Sequence, residues 1–146
     1  QRGLRFDDDC IGAGLNECPS LFIECIAHLR LGKVAVRRHE AAERANQALT
    51  IAATACAAGA QVSLWLAGEA SWFAVPGRAA ELSLDHAAPA ADLLDAVREA
   101  GAVTLCTQCA VRRDLTQADL LPGIRLAGAA AFTEEVLAPG VQALVY

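Results

Sequence analysis

The sequence predicts a three-layer α/β/α domain around a mostly parallel sheet of about five strands. Short apolar runs rich in β-formers alternate with stretches of helical periodicity, the pattern of crossover units that cover a sheet on both faces. Apolar residues make up 55% of the chain, with few aromatics, so the packing is expected to be close and helix-rich. At 146 residues the chain has the length of one domain with a real core.

Residues 1–32 differ in pattern from the rest of the chain and are set apart as an amino-terminal extension, the domain proper being 33–146. Asp7-Asp8-Asp9 is a solvated charge run and Gly12-Ala13-Gly14 a loop signal. Ser20 is placed as the cap of an apolar helix across Leu21 to Leu31, ended by Gly32. Cys10, Cys18 and Cys25 fall in this part, and their spacings fit no common zinc pattern. Gln1 stands first and the chain has no methionine, so the first residues read as a fragment, a processed end or translation from upstream of the natural start.

From Lys33 the pattern becomes regular. Val34-Ala35-Val36 reads as a short strand. Glu40 to Ala58 is a long helix, with Ala41, Ala45, Leu49, Ala52 and Cys56 at helical spacing and Gly59 closing it. Val62 to Leu66 is an apolar strand, and Gly68 to Gly77 a loop carrying Trp72, Phe73 and Pro76. Ala90 to Ala100 is a helix ending at Gly101, with Leu93, Leu94 and Val97 facing inward. Val103 to Cys106 is the next strand. A short helix starts at about Thr107, and Thr116 caps another with Asp119 as its capping-box partner. Ile124 to Ala127 is a strand, Ala129 to Leu137 a helix, and Val141 to Val145 a closing strand. Right-handed crossovers set the handedness.

Composition excludes several function classes. A net charge of −5 gives no basic footprint for nucleic acid or anionic lipid. No run of 18 apolar residues exists to span a membrane, and no signal-peptide pattern leads the chain. The six cysteines are therefore expected as reduced thiols in a cytoplasm. There is no Gly-rich phosphate loop, no Ser-His-Asp arrangement and no acidic metal cluster, so neither cofactor nor metal is expected.

Chemistry is expected at Cys106-Thr107-Gln108-Cys109. An apolar strand ends in Cys106, where it hands over to a helix. Open α/β sheets bind ligands at the carboxyl ends of their strands, and the unpaired N–H groups of a helix start favour a thiolate over a thiol. Cys109, three residues on, shares a helix face with Cys106 and lies within disulfide reach. One C-x-x-C is too few ligands for structural zinc, and His28, His39 and His86 lack ligand spacing to it. A thioredoxin-like dithiol would also stand at a strand end, but the aromatic-Cys-Gly-Pro-Cys type of sequence is missing. Arg112 and Arg113 read either as a source of positive potential at the site, with one of them pointing to solvent, or simply as a solvated helix face. His86, ahead of a helix, reads as a loop or capping residue, with a proton carrier as the sharper alternative. Trp72, with Phe73, would shield the thiolate or fill a subunit interface. Glu43 and Arg44 read as surface or interface charges, and Cys56 as core.

From about Glu43 to Tyr146 the chain resembles the DsrE family of small sulfur-relay and YchN-like proteins. The resemblance is carried by Arg44-Ala45-Asn46-Gln47-Ala48-Leu49, Val62-Ser63-Leu64-Trp65-Leu66, Leu105-Cys106-Thr107-Gln108-Cys109-Ala110-Val111-Arg112-Arg113 and Gln142-Ala143-Leu144-Val145-Tyr146. It implies a peroxiredoxin-like layered fold and a homo-oligomer, trimeric or hexameric. It also implies that Cys106 is the cysteine able to hold sulfane sulfur as a persulfide, exchanged with donor and acceptor proteins. Cys109 matches a second cysteine found in some members. The family commonly has Arg-Gly where this chain has Arg113-Asp114; aspartate tolerates the left-handed conformation better than most residues, so the turn is expected to survive. Three functions are open: a sulfur carrier with Cys109 as resolving thiol, a dithiol–disulfide oxidoreductase, or a non-catalytic oligomeric or ligand-binding module.

Overall fold

The structure, a computed structural model, describes residues 20–27 and 35–146. Five strands, β1 (Ser20–Ala27), β2 (Val62–Gly68), β3 (Ala102–Cys106), β4 (Ile124–Ala127) and β5 (Val141–Val145), form one sheet in the order β4-β3-β2-β1-β5. Every neighbouring pair is parallel. Among the described residues four α-helices accompany it: α1 (Ala35–Ala57), α2 (Ala90–Ala100), α3 (Thr107–Val111) and α4 (Ala129–Val136). The layered α/β architecture expected from the alternation is present.

Two local expectations are corrected. Ser20 to Ala27 is a strand, not the start of a helix, and it lies between β2 and β5, with Leu21 opposite Val62 and Ser20 opposite Val141. An interior strand of a parallel sheet carries apolar residues on both faces, so its apolar run reads like a buried helix. The strand falls within the stretch set apart as an extension. The strand expected at Val34-Ala35-Val36 is absent, because Ala35 and Val36 open α1. The charge run at Asp7–Asp9, the Gly12–Gly14 loop, Cys10, Cys18, His28, Gly32, Lys33 and Val34 lie outside the described residues.

Period-2 alternation assigns each strand residue to a face. Val62, Leu64 and Leu66 of β2, Val103 and Leu105 of β3 and Ile124 of β4 join the core, where they meet Ala45, Ala48, Leu49 and Ala52 of α1 and Ala90, Leu94 and Val97 of α2. Alanines on the inner stripe of α1 let it sit close to β1 and α2, both of which it packs against. Gly101 joins α2 to β3 where a Cβ would lie 2.8 Å from the Val62 carbonyl oxygen, a distance that admits only glycine.

The other face carries Ser63, Trp65, Thr104 and Arg125, covered by α4. Phe132 meets the Trp65 ring edge-on, centroids 5.3 Å apart. Ser63 Oγ and Trp65 Nε1 donate to Glu135 Oε2 at 2.7 and 2.9 Å, and Arg125 pairs with Glu135 Oε1. Arg125 Nε donates to the buried Thr104 Oγ1 at 2.8 Å. Burial opposes the Glu135 charge, but the bonds from Trp65, Ser63 and Arg125 outweigh it and hold the carboxyl below its ordinary range.

Candidate functional site

The carboxyl ends of the parallel strands share one edge, where β2 and β3 run side by side with Leu66 opposite Leu105. The chain leaves β3 at Cys106, opposite Ala127 of β4, and turns at once into α3. Cys106 therefore occupies the cap position, with its side chain half-buried and making no capping bond. Since α3 has five residues, it carries only a fraction of a long helix's dipole. The surroundings of Cys106 are set by the next turn of chain and by the end of β2.

Cys109 lies one turn along α3, buried at 8% exposure. Burial pushes its thiol up from the ordinary value; the Gly68 N–H lowers it, a hydrogen bond with Cys106 and the charge on that neighbour raise it, and Arg113 lowers it. The upward causes prevail. Both cysteines are free thiols.

Gly68 ends β2 with φ 56° and ψ −133°, a conformation open essentially to glycine alone. It aims the Gly68 N–H at Cys109 Sγ, 3.2 Å away, and leaves the Gly68 carbonyl to accept from Ser71 Oγ at 2.6 Å. The stretch expected as a loop continues as a 3-10 helix, Glu69–Ala74, with Phe73 turned into the core.

The two arginines part ways. Arg112 is exposed, while Arg113 turns inward. Arg113 Nη1 donates to the Cys109 carbonyl at 3.0 Å and Nη2 to Glu69 Oε1 at 2.6 Å, tying α3 to the chain after β2. The turn after Arg113 survives without glycine: Asp114 has φ 55°. Its N–H reaches the Val111 carbonyl at 3.2 Å and the Leu115 N–H the Ala110 carbonyl at 3.0 Å, the two bonds of a Schellman closure. Thr116 and Asp119 form the expected capping box, with Thr116 N and Oγ1 donating to Asp119 Oδ2 at 2.8 and 2.7 Å. It caps a 3-10 turn, Gln117–Asp119, rather than an α-helix.

The structure gathers Cys106, Cys109 and Arg113. It does not join His86 or Trp72 to them through any bond or ring contact among the described residues. His86 is exposed at φ 62° in a turn closed by the Ala87 N–H on the Leu84 carbonyl at 3.3 Å. Trp72 is half-buried with the Arg78 guanidinium 4.9 Å from its ring centroid. Glu43 and Arg44 are exposed, and Cys56 is half-buried against the core. Sequence reasoning missed Gly68 and Glu69. The signal available was a glycine at the end of β2, at the same sheet edge as Cys106.

A cavity of about 430 Å³ lies at the opposite edge, lined among others by Val62, Gly101, Arg125, Glu135 and Val141. It is remote from Cys106 and Cys109, since Val62 and Val141 begin the strands whose far ends define the thiol edge. No group of three or more His, Cys, Asp or Glu side chains able to hold a metal occurs among the described residues, and no helix there is long and apolar enough to cross a membrane.

The sequence model of the DsrE/DsrF-like family matches residues 33–142. No curated protein sequence matches the chain. Among solved structures it is similar to the crystal structure of the ychN protein from E. coli, at a TM-score of 0.59 and 13% identity over 88% of this chain and 99% of that one. At that identity the likeness concerns the fold.

Proposed function

The chain belongs to the DsrE/DsrF-like family, and on that premise we propose that it is a sulfur-relay protein carrying sulfane sulfur as a persulfide on Cys106. The observation that supports this is the half-buried free thiol of Cys106 at the carboxyl end of β3, three residues before the buried Cys109 on α3. The Cys106 thiolate attacks the outer sulfur of a donor persulfide. A sulfur–sulfur bond forms on Cys106, the donor's bond breaks, and the donor departs as a thiolate that takes a proton. An acceptor thiolate then removes the outer sulfur by the same displacement, so the cycle has no net oxidation.

Cys109 adds a second exit as resolving thiol. Its sulfur forms a disulfide with Cys106 while the outer sulfur leaves as hydrogen sulfide, and an external dithiol restores the pair. The exposed side chains of Arg112 and Val111 beside α3 fit a docking rim for donor and acceptor proteins, with Arg113 adding positive potential behind it. His86 and Trp72 stay outside this scheme. Self-association into a trimer or hexamer, in a cytoplasm that keeps thiols reduced, completes the proposal. Val145 of the edge strand β5, 63% exposed, is an apolar surface that fits it.

Mass measurement after incubation with a low-molecular-weight persulfide tests the core of this. Cys109→Ser gains one sulfur atom, the wild type gains one sulfur atom or, once Cys109 has resolved it, ends as the Cys106–Cys109 disulfide, and Cys106→Ser gains none; an adduct that persists in Cys106→Ser removes the assignment. The placement of two free thiols three residues apart at the start of α3 also favours a dithiol–disulfide oxidoreductase. That reading requires reduction of a model disulfide, abolished by Cys109→Ser.

A further inference from the structure

We propose that the main-chain N–H of Gly68 takes the place of water at the Cys109 sulfur and stabilises the thiolate that the resolving step requires. The proposal rests on the resolving role of Cys109 and names the group that makes a buried thiol fit for it. In that step the Cys109 thiolate attacks the Cys106 sulfur of the persulfide. A disulfide forms, and the outer sulfur leaves with the bonding pair as hydrosulfide.

A thiol attacks only as its thiolate, and at 8% exposure Cys109 has little water to stabilise that charge. The Gly68 N–H reaches the sulfur at 3.2 Å, spending on a weak acceptor a donor that a strand residue usually gives to a carbonyl. The backbone is shaped for this. Gly68 holds φ 56° and ψ −133°, essentially a glycine conformation, and its carbonyl accepts from the fully buried Ser71 hydroxyl at 2.6 Å. Glu69, the next residue, accepts from Arg113 Nη2 at 2.6 Å, while Arg113 Nη1 donates to the Cys109 carbonyl at 3.0 Å. Two consecutive residues thus grip Cys109, one at its sulfur and one, through Arg113, at its carbonyl. An N–H bond is stronger to a charged acceptor than to a neutral one. Burial pushes the thiol up, and the Gly68 bond pulls it back down. The charged groups near the sulfur are Arg113, which favours the anion, Glu69, which Arg113 engages, and Cys106 when ionised, which opposes it. A cysteine that only filled space has no use for the donor.

Alanine holds that backbone conformation only under strain, so Gly68→Ala turns the N–H away from the sulfur. In a Cys106→Ser background, alkylation of Cys109 by iodoacetamide is followed by peptide-resolved mass spectrometry from neutral to strongly alkaline pH. A tenfold smaller thiolate fraction is half offset by the higher nucleophilicity of the more basic sulfur, so Gly68→Ala is expected to slow Cys109 about threefold at pH 7. The deficit disappears toward alkaline pH, where the thiol is ionised in both proteins. A change in access alone scales the rates equally at every pH, so a rate ratio that does not vary with pH overturns the proposal. A second measurement leaves position 68 unchanged. In the Cys106→Ser protein the Gly68 amide resonance moves downfield as Cys109 ionises, and it stays in place when Cys109 is replaced by alanine; an amide indifferent to pH overturns the proposal too. Sulfide release from persulfide-loaded wild type judges the resolving reading separately: loading without release refutes that reading, whatever the alkylation rates are.

Discussion

Toward α1 and α2 the sheet presents Leu64, Leu66, Val103, Leu105 and Ile124 to Leu49, Leu94 and Val97. Toward α4 it presents Ser63, Trp65, Thr104 and Arg125 to Phe132 and Glu135. The first face is closed by two helices and apolar contact. The second is covered by one eight-residue helix with no fully buried residue, held by a carboxylate that gathers three donors. Non-directional burial tolerates sliding, whereas a shared carboxylate fixes α4 in one position relative to β2 and β4.

If that contrast holds, truncation on the first face has the largest effect. Leu64→Ala, at a position with 0% exposure, is expected to cost about 2 to 5 kcal/mol in urea or guanidinium unfolding. A cost under about 1 kcal/mol would mean that the apolar face is not the main source of stability.

Glu135→Gln comes next, at about 1 to 2 kcal/mol, because it removes the charge that Arg125, Ser63 and Trp65 share. It also changes the pH dependence. With its folded-state value held below the unfolded one, Glu135 contributes stability that is present above the ordinary glutamate range and lost as pH falls through the lowered value. Acid titration of stability in the wild type therefore has a component that the glutamine variant lacks, and superimposable curves would show that the charge is immaterial.

The smallest effect belongs to Phe132→Leu. It retains most of the apolar cover but forfeits the edge-on contact with Trp65, for about 0.5 to 1 kcal/mol by thermal or chemical unfolding. A loss as large as that of Leu64→Ala would erase the distinction between the faces.

Legibility in the chain obeys the same division. The stripe on α1, the inward residues of α2 and the strands β2 and β3 are readable, because burial on that side repeats with a helical or strand period. β1 reads as a helix because Leu21-Phe22-Ile23 gives an apolar run without a period, and length alone does not separate strand from helix. The handover from β3 to α3 at Cys106 is readable from local order, and so is the turn at Asp114. The bonds that shape the surroundings of Cys109 are not. Gly68 and Cys109 are 41 residues apart, and Glu69 and Arg113 are 44 apart; only the pairing of β2 with β3 brings them together. Composition likewise gives no hint that Glu135 serves Ser63 and Trp65, 72 and 70 residues earlier.

The seat of β1 bears on how the molecule assembles. Residue 20 pairs with residue 141, and its other neighbour strand begins at residue 62. β5 bonds to β1 alone, so its place in the sheet depends on β1, and their pairing closes the longest loop in the sheet. Long-range parallel pairing of this kind slows folding. Without β1, β5 would lose its one neighbour and β2 would present an open edge to a foreign strand.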